Sequence, residues 1–269
     1  MIRLFAILLA LAVAVPAHAQ TELRVGWCAK TISPAASPFA IATKFGWFAE
    51  RGIKVTVVPL AGATDCTKQV ATGDMLFTAP SIEPMAIIHR QGIKLKMFYL
   101  TYQSFTYGLA VADSSPIKSI AELKGKTVTV LAYTDTTYYA LLGMLSKVGL
   151  TKNDVNIQAA GPAGVWQQFA AKKAVGMAGV PDWTVSAMDA GAQVDILPAD
   201  IYFKSMAQAI VVSDETIQKN PELVRKLVRA TLKGMKAVMD DPAAAAADYV
   251  KAVPEHAGKE AEMTAILKA

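Results

Sequence analysis

Residues 53–78 read IKVTVVPLAGATDCTKQVATGDMLFT, and this stretch decides the fold. Ile53 to Val58 is a β-branched run that predicts a strand. Thr64 to Thr72 predicts a helix stopped at Gly73, and Met75 to Thr78 predicts a second, short strand. Strand, helix and strand in such quick succession make a βαβ unit, whose strands run parallel. The pattern extends in both directions. Upstream, Leu23 to Trp27 predicts a strand, and Pro38 to Arg51 a helix with Phe39, Ala42, Phe45 and Ala49 on one face. Downstream come a helix at Ile82 to Arg90, ended near Gly92, and a strand at Leu95 to Tyr102.

A second copy follows. Strands are expected at Tyr107 to Ala112, Lys126 to Leu131, Asn156 to Ala159, Gly176 to Gly179 and Asp195 to Leu197. Helices are expected at Ser119 to Leu123, where Ser119 and Glu122 have capping-box spacing, at Thr136 to Val148, at Ala163 to Lys173 and at Asp182 to Ala190. After a last strand at Gln208 to Ser213 the chain turns helical: Pro221 to Met239 with Asn220 as cap, Pro242 to Ala252, and His256 to Lys268. The expected class is α/β, organised as two lobes and a helical tail.

The chain opens with Arg3, an apolar run from Leu4 to Val15, and Ala17-His18-Ala19. These are the three parts of a secretory signal, so cleavage is expected near Ala19/Gln20, with residues 1–19 removed and the mature chain extracytoplasmic. The apolar centre is too short for a finished membrane span, and no Cys at the cleavage point offers a lipid anchor. The 269 residues are 53% apolar and 18% charged, the composition of a packed globular protein. A formal charge of +5 is scattered among acids and forms no basic stripe, so nucleic acid is not an expected partner. The two cysteines, Cys28 and Cys66, each follow a strand of the same βαβ unit. Their spacing fits no zinc site, and there is no Cys-x-x-Cys. A Cys28–Cys66 disulfide and a pair of free thiols both remain open.

Several segments resemble one known family. They are Ser37-Pro38-Phe39-Ala40-Ile41-Ala42, Lys44-Phe45-Gly46-Trp47-Phe48, Arg51-Gly52-Ile53-Lys54-Val55 and Gly62-Ala63-Thr64. Further on come Ala71-Thr72-Gly73-Asp74, Ser81-Ile82-Glu83-Pro84, Glu122-Leu123-Lys124-Gly125-Lys126, Thr136-Thr137-Tyr138-Tyr139 and Asn220-Pro221-Glu222. In order and spacing these resemble periplasmic solute-binding proteins of ABC importers, in the branch taking nitrate, sulfonates, taurine and thiamine-pyrimidine precursors. The resemblance implies a bilobal clamshell of the type II periplasmic-binding-protein kind, with two mostly parallel sheets flanked by helices. It implies a first lobe at 20–104 and 207–269 and a second at 105–206, with crossings near Gln103 to Tyr107 and Ala199 to Gln208. It also implies a longer helical tail, so the first lobe is expected to be truncated at Ala269, with a shorter natural tail as the alternative. The implied partners are a small-molecule ligand and an inner-membrane ABC permease, for a monomer working in the periplasm without metal or cofactor.

In open α/β sheets ligands bind outside the carboxyl ends of the strands, which selects loops independently of the resemblance. The first lobe offers Trp27 and Ser37, then Gly62 and Thr64, then Ser81 and Glu83. The second offers Tyr133, Thr136 and Thr137, and then Asp182 and Trp183. Helix starts rich in hydroxyls receive strongly accepting groups, although Asp135 reads first as the cap of its own helix. In similar proteins the equivalent of Thr136-Thr137 faces ligand, and pyrimidine-precursor binders resemble the Ser-x-Glu-Pro at Ser81 to Pro84. A carboxylate such as Glu83 or Asp182 repels a sulfonate and pairs with an amine or an aminopyrimidine N–H. Its bland reading is a helix-start charge that suits the dipole. Trp27, Tyr133 and Trp183 could stack a flat ring or a cation.

The expected function is therefore capture of a small nitrogen-containing solute of aminopyrimidine or amine type. Sulfonate, taurine or nitrate binding is the alternative within the fold, and a ligand-sensing lobe for a membrane receptor the alternative class. Catalysis is not expected. His89 and His256 lie on polar stretches of unrelated helices, and no hydrolase, metalloprotease or phosphate-loop motif is present. The Cys-Cys-Cys-Phe-Cys motif of a pyrimidine synthase with the same fold is absent.

Overall fold

The computed structural model describes residues 20–30, 32–102 and 107–268. The expected signal segment and most of the first expected crossing lie outside these residues. The first half runs β1 (Thr21–Trp27), α1 (Ser37–Lys44), β2 (Ile53–Pro59), α2 (Ala63–Thr72), β3 (Phe77–Thr78), α3 (Ile82–His89) and β4 (Leu95–Tyr102). The middle runs β5 (Gly108–Ala112), β6 (Thr127–Val130), α4 (Thr136–Lys147), β7 (Asn156–Ala159), α5 (Gly161–Ala170), β8 (Gly176–Gly179), α6 (Pro181–Asp189) and β9 (Val194–Pro198). The chain ends with β10 (Gln208–Ser213), α7 (Asp214–Lys219), α8 (Pro221–Asp240), α9 (Pro242–Ala252) and α10 (Glu260–Lys268).

These strands form two five-stranded sheets, ordered β2-β1-β3-β10-β4 and β7-β6-β8-β5-β9. The two share one plan. In each, the fourth strand runs against its neighbours: β10 is antiparallel to β3 and β4, and β5 to β8 and β9. The reversed strands are those entered just after the chain changes sheets. Each pairs with the strand its own sheet last contributed, so Tyr102 lies opposite Gln208 and Gly108 opposite Pro198. The chain thus leaves and re-enters each sheet at neighbouring strand ends.

Helices cover both faces of each sheet, and the alternation of side chains along one strand shows it. In β10, Ile210 and Val212 face the core of α1 and α8 with Phe39, Phe77 and Leu227, whereas Val211 faces Val70 and Met75 on the other side. In β5, Leu109 and Val111 join Leu141 and Leu145 of α4, whereas Ala110 meets Val165, Phe169 and Ala187. The inner parallel strands β3, β6 and β8 are buried on both faces, as βαβ connections require, whereas the edge strands β2 and β7 keep exposed positions.

Two local expectations need correction. The helix expected over Pro38 to Arg51 ends at Lys44, because Gly46 at φ +72° lets the chain turn, and only a 3-10 turn at Ala49–Arg51 follows. Asn220 precedes α8 but its side chain makes no capping bond; Pro221 alone suits the helix start. The capping box at Ser119 and Glu122 forms with both reciprocal bonds, on a short 3-10 turn. Cys28 and Cys66 are joined, with Cα atoms 5.6 Å apart, stapling the loop after β1 to α2. Among the described residues no helix is long and apolar enough to cross a membrane.

Candidate functional site

The carboxyl ends of β1, β2 and β3 face those of β6 and β8 across a cavity of about 330 Å³. Seven of the residues expected at a site line it: Trp27, Ser37 and Ser81 from the first lobe, and Thr136, Thr137, Asp182 and Trp183 from the second. Four others do not. Glu83 sits in the first turn of α3 behind Ser81, whose hydroxyl is bonded to its carboxylate. Gly62 and Thr64 are taken up by the opposite lobe. The Thr64 backbone N–H and hydroxyl both donate to the Thr134 carbonyl, at 3.4 and 3.1 Å, and the hydroxyl lies 3.4 Å from Tyr139 Oη. Tyr133 is 54% exposed, donates to the Ile157 carbonyl and packs edge-on against Tyr138, away from the cavity.

The hydroxyls that face one another close the cleft by direct contact. Ser81 Oγ and Thr136 Oγ1 are hydrogen-bonded between lobes, and the Ser33 hydroxyl reaches the Asp182 carboxylate. Thr137 is also occupied: its backbone N–H and hydroxyl donate to Asp135 at 2.9 and 2.8 Å. Asp135 is therefore the N-cap of α4, as its position suggests, and it also lines the cavity while only 7% exposed. A cap that accepts helix N–H groups can still present its carboxyl edge to a ligand.

The electrostatics follow from this closure. Burial pushes the Asp135 carboxyl above its ordinary range, and the two Thr137 bonds offset only part of the rise. Burial likewise raises Asp182 against the Ser33 hydrogen bond. Glu83 is raised by burial and further by the nearby Asp135 charge. Tyr107, at the mouth of the first crossing, is pushed well above the usual tyrosine value by burial and by Asp135 and Glu83. No Lys, Arg or His lies among the described lining residues to compensate these carboxyls. Among the described residues no group of acids, histidines and cysteines is placed to hold a metal.

Sequence reasoning missed two contributions. Tyr107 and Gln208 come from the crossing segments, and Gln208 is held by an Nε2 bond to the Ala79 carbonyl at 2.7 Å. The tail supplies an apolar end, with Met235, Val238 and Met239 of α8 and Ile266 and Leu267 of α10. The Ile266 cluster of α9 and α10 packs against Val185 of α6 in the second lobe, so the tail touches both lobes. Tyr107 was detectable as a flank of the crossing, but nothing local marks the tail residues.

A family model described as NMT1/THI5 like matches residues 33–245. The chain belongs to the NMT1/THI5-like family. Among curated relatives, the riboflavin-binding protein RibY of Chloroflexus aurantiacus is 29% identical over 222 residues, covering 81% of this chain and 63% of that protein. The chain thus spans less than two thirds of that relative's length. A 4-amino-5-hydroxymethyl-2-methylpyrimidine phosphate synthase of Aspergillus parasiticus is 26% identical over 245 residues, 82% of this chain and 68% of the relative. Among solved structures, the periplasmic aliphatic sulphonate binding protein SsuA of Escherichia coli aligns with a TM-score of 0.74 at 16% identity, over 92% of this chain and 78% of that one. That likeness establishes the two-lobed periplasmic-binding-protein fold.

Proposed function

We propose that this protein is the extracytoplasmic solute-binding component of an ABC importer, and that it captures a small, flat nitrogen-containing solute of aminopyrimidine or amine type. The observation that carries the reading is the cavity between the lobes, where Asp135 and Asp182 are the charged groups and no described lining residue is basic. A sulfonate or nitrate would have to approach buried carboxyls without a cation to receive it, which costs several kcal/mol per unpaired charge. An N–H edge or a protonated amine would be stabilised by the same groups. Trp27 and Trp183 add aromatic faces for a flat ring.

In this reading the lobes run 20–104 with 207–269, and 105–206, and swing about the paired crossings. Closure forms the Thr64–Thr134 and Ser81–Thr136 bonds, and a ligand favours it only by binding the closed form better. A membrane permease then recognises the closed form. The Cys28–Cys66 bond suits an oxidising compartment such as the periplasm, in keeping with the leader-like N-terminus.

The test is a thermal-shift and calorimetry panel on residues 20–269 with aminopyrimidines, riboflavin, amines, taurine, alkanesulfonates and nitrate. Ligand bound at a hundred times its Kd stabilises the native state by about 2.7 kcal/mol, an easily read shift. Binding of a nitrogen heterocycle or amine that is lost on filling the cleft with Ala63→Trp supports the reading. Binding of sulfonate or nitrate alone sinks it.

A further inference from the structure

The hydroxyl groups that join the lobes form a chain with one direction. The Ser81 hydroxyl is bonded to the Glu83 carboxylate, which as an ion only accepts, so Ser81 donates there. In its bond to Thr136 across the cleft, Ser81 Oγ must then accept. Thr136 gives up its proton in turn and accepts from the Tyr107 phenol, to which it is also bonded. The run from Tyr107 through Thr136 and Ser81 thus crosses between the lobes and ends on a carboxyl group. That end is a poor place for a charge. Glu83 Oε2 is buried and has no hydrogen-bond partner. Helix α3 packs against α2 and α4, and from the start of α4 the buried Asp135 opposes ionisation of Glu83 by its own charge. On α2, Lys68 is exposed and the Asp65 carboxylate accepts from the Ala61 N–H at 3.2 Å; His89 ends α3 in an exposed position. Ser81, the Glu83 backbone N–H and Asp135 are the groups acting on Glu83, and none is a cation. Two Thr137 bonds support the charge on Asp135, whereas Glu83 Oε2 receives none, so a proton shared by the pair sits on Glu83.

We propose that the contact between the lobes is a proton-holding latch: as the cleft closes, Glu83 meets Asp135 and takes one proton from solvent on Oε2, and as the cleft opens that proton returns to solvent. The latch rests on the lobes swinging as read above, and not on which solute they capture. Opening separates the two acids and returns Glu83 to water, where its ordinary value is 4.5. The closed form therefore binds the proton more tightly than the open form. Below 4.5 both forms are protonated and closure does not depend on this group. Above 4.5 the open form releases the proton first, so the closed-to-open ratio falls as pH rises, by up to about tenfold per pH unit for one proton. Capture becomes pH-dependent even when no group of the solute titrates.

The test uses residues 20–269 without ligand, carrying spin labels at Lys68→Cys and Lys152→Cys, one exposed position in each lobe, with the Cys28–Cys66 bond intact. Double electron–electron resonance then gives the short (closed) and long (open) distances from pH 4.5 to 8. The short distance should be populated near pH 5, and its ratio to the long one should fall at least about threefold by pH 7. Glu83→Gln keeps the shape and an acceptor for Ser81 but cannot ionise, so the short distance should persist at every pH. Asp135→Asn still caps α4, because Asn caps as well as Asp, and removes the charge facing Glu83. It should shrink the pH dependence. A wild-type distribution that does not change with pH, whether all short or all long, would overturn the latch. The same pH dependence in Glu83→Gln would place the titrating group elsewhere and overturn it too. Should Glu83→Gln fail to fold, Asp135→Asn decides: an unaltered pH dependence there overturns the pairing of the two acids. Because no solute is present, failure of the proposed solute class in the binding panel leaves this result standing, and the reverse holds as well.

Discussion

The two walls of the cleft are built from the same topology and do opposite chemistry. The first-lobe wall is neutral, with Trp27, Ser37 and Ser81, and is fixed covalently by the Cys28–Cys66 bond next to Trp27. The second-lobe wall carries Asp135 and Asp182 at helix starts and has no covalent staple among the described residues. The difference teaches how one supersecondary plan is specialised. The carboxyl ends of parallel strands always deliver loops and helix N-termini to one edge, and the residue at each helix start sets the sign of what is recognised. The stapled wall is held in place covalently, and the acidic wall meets it through the Ser81–Thr136 contact.

The sharpest way to break this contrast is to remove the staple. The bond closes a sequence separation of 38 residues, which corresponds to about 4 kcal/mol of stabilisation on loop-closure entropy. The double variant Cys28→Ser, Cys66→Ser should melt roughly 8–15 °C lower than wild type by differential scanning calorimetry. A loss under about 1 kcal/mol would mean that packing, with Cys66 fully buried in α2, already fixes the loop, and the walls would be mechanically equal.

Next in size is the charge on the opposite wall. Asp182→Asn keeps the shape of the side chain and can still accept from the Ser33 hydroxyl, but it cannot carry a charge to the ligand. The lost charge-assisted bond should weaken an aminopyrimidine about ten- to a hundredfold in calorimetry. Unchanged affinity would remove Asp182 from the recognition wall and leave Asp135 as its sole charge.

A smaller effect compares helix packing in the two lobes. At Gly234 of α8 an added Cβ would stand 2.1 Å from the Pro38 carbonyl oxygen, which is backbone and cannot swing away. At Gly143 of α4 it would meet the Phe203 ring at 2.8 Å, a side chain that can turn. Gly234→Ala should therefore cost about 1–3 kcal/mol through overpacking, and should disturb Ser37 beside it. Gly143→Ala should fall near zero, because the gain of up to about 1 kcal/mol in helix propensity offsets the ring movement. Equal costs in urea denaturation would show that the α1–α8 contact yields more than its geometry indicates.

What the sequence revealed divides along the same lines. The strand and helix order was legible because hydrophobic runs and Gly stops are local signals; the helix at Pro242 to Ala252 and the strand at Leu95 to Tyr102 fall on their observed bounds. Helix-start residues were legible as a group, because the edge of an α/β sheet that binds ligand follows from topology. Which side chain of a helix start enters the cavity was not legible. Ser81 and Glu83 are two residues apart in one turn, and only the approach of Thr136 from the other lobe decides that Ser81 is in front. Tyr107 and Gln208 are marked only as ends of the expected crossings, and Met235 and Ile266 reach the cavity through contacts distant in sequence of which their own neighbourhoods carry no mark.

The smallest expected effect concerns pH, and it turns the acidic wall against itself. Asp182 has an ordinary value of 3.8, which burial raises in the folded protein. Between those two values the native state holds a proton that the unfolded chain has released. Stability therefore falls as pH rises through that window, and the cost is absent below 3.8 where both states are protonated. Asp135 behaves in the same way from 3.8, and Glu83 from 4.5. Glu215 and Asp154, held below the ordinary carboxylate range by hydrogen bonds from Lys219 and Thr151, titrate in the opposite direction, so the informative quantity is a difference between variant and wild type. Asp182→Asn is neutral throughout. Its ligand-free melting midpoint should match wild type near pH 4 and exceed it by a few degrees at pH 7, although the same variant binds its ligand less well. Opposite signs for stability and affinity in one substitution would mark Asp182 as a group kept for recognition at the expense of folding. A constant difference across the pH range would show that solvent reaches the carboxylate in the unliganded protein, and that the cleft is open until ligand closes it.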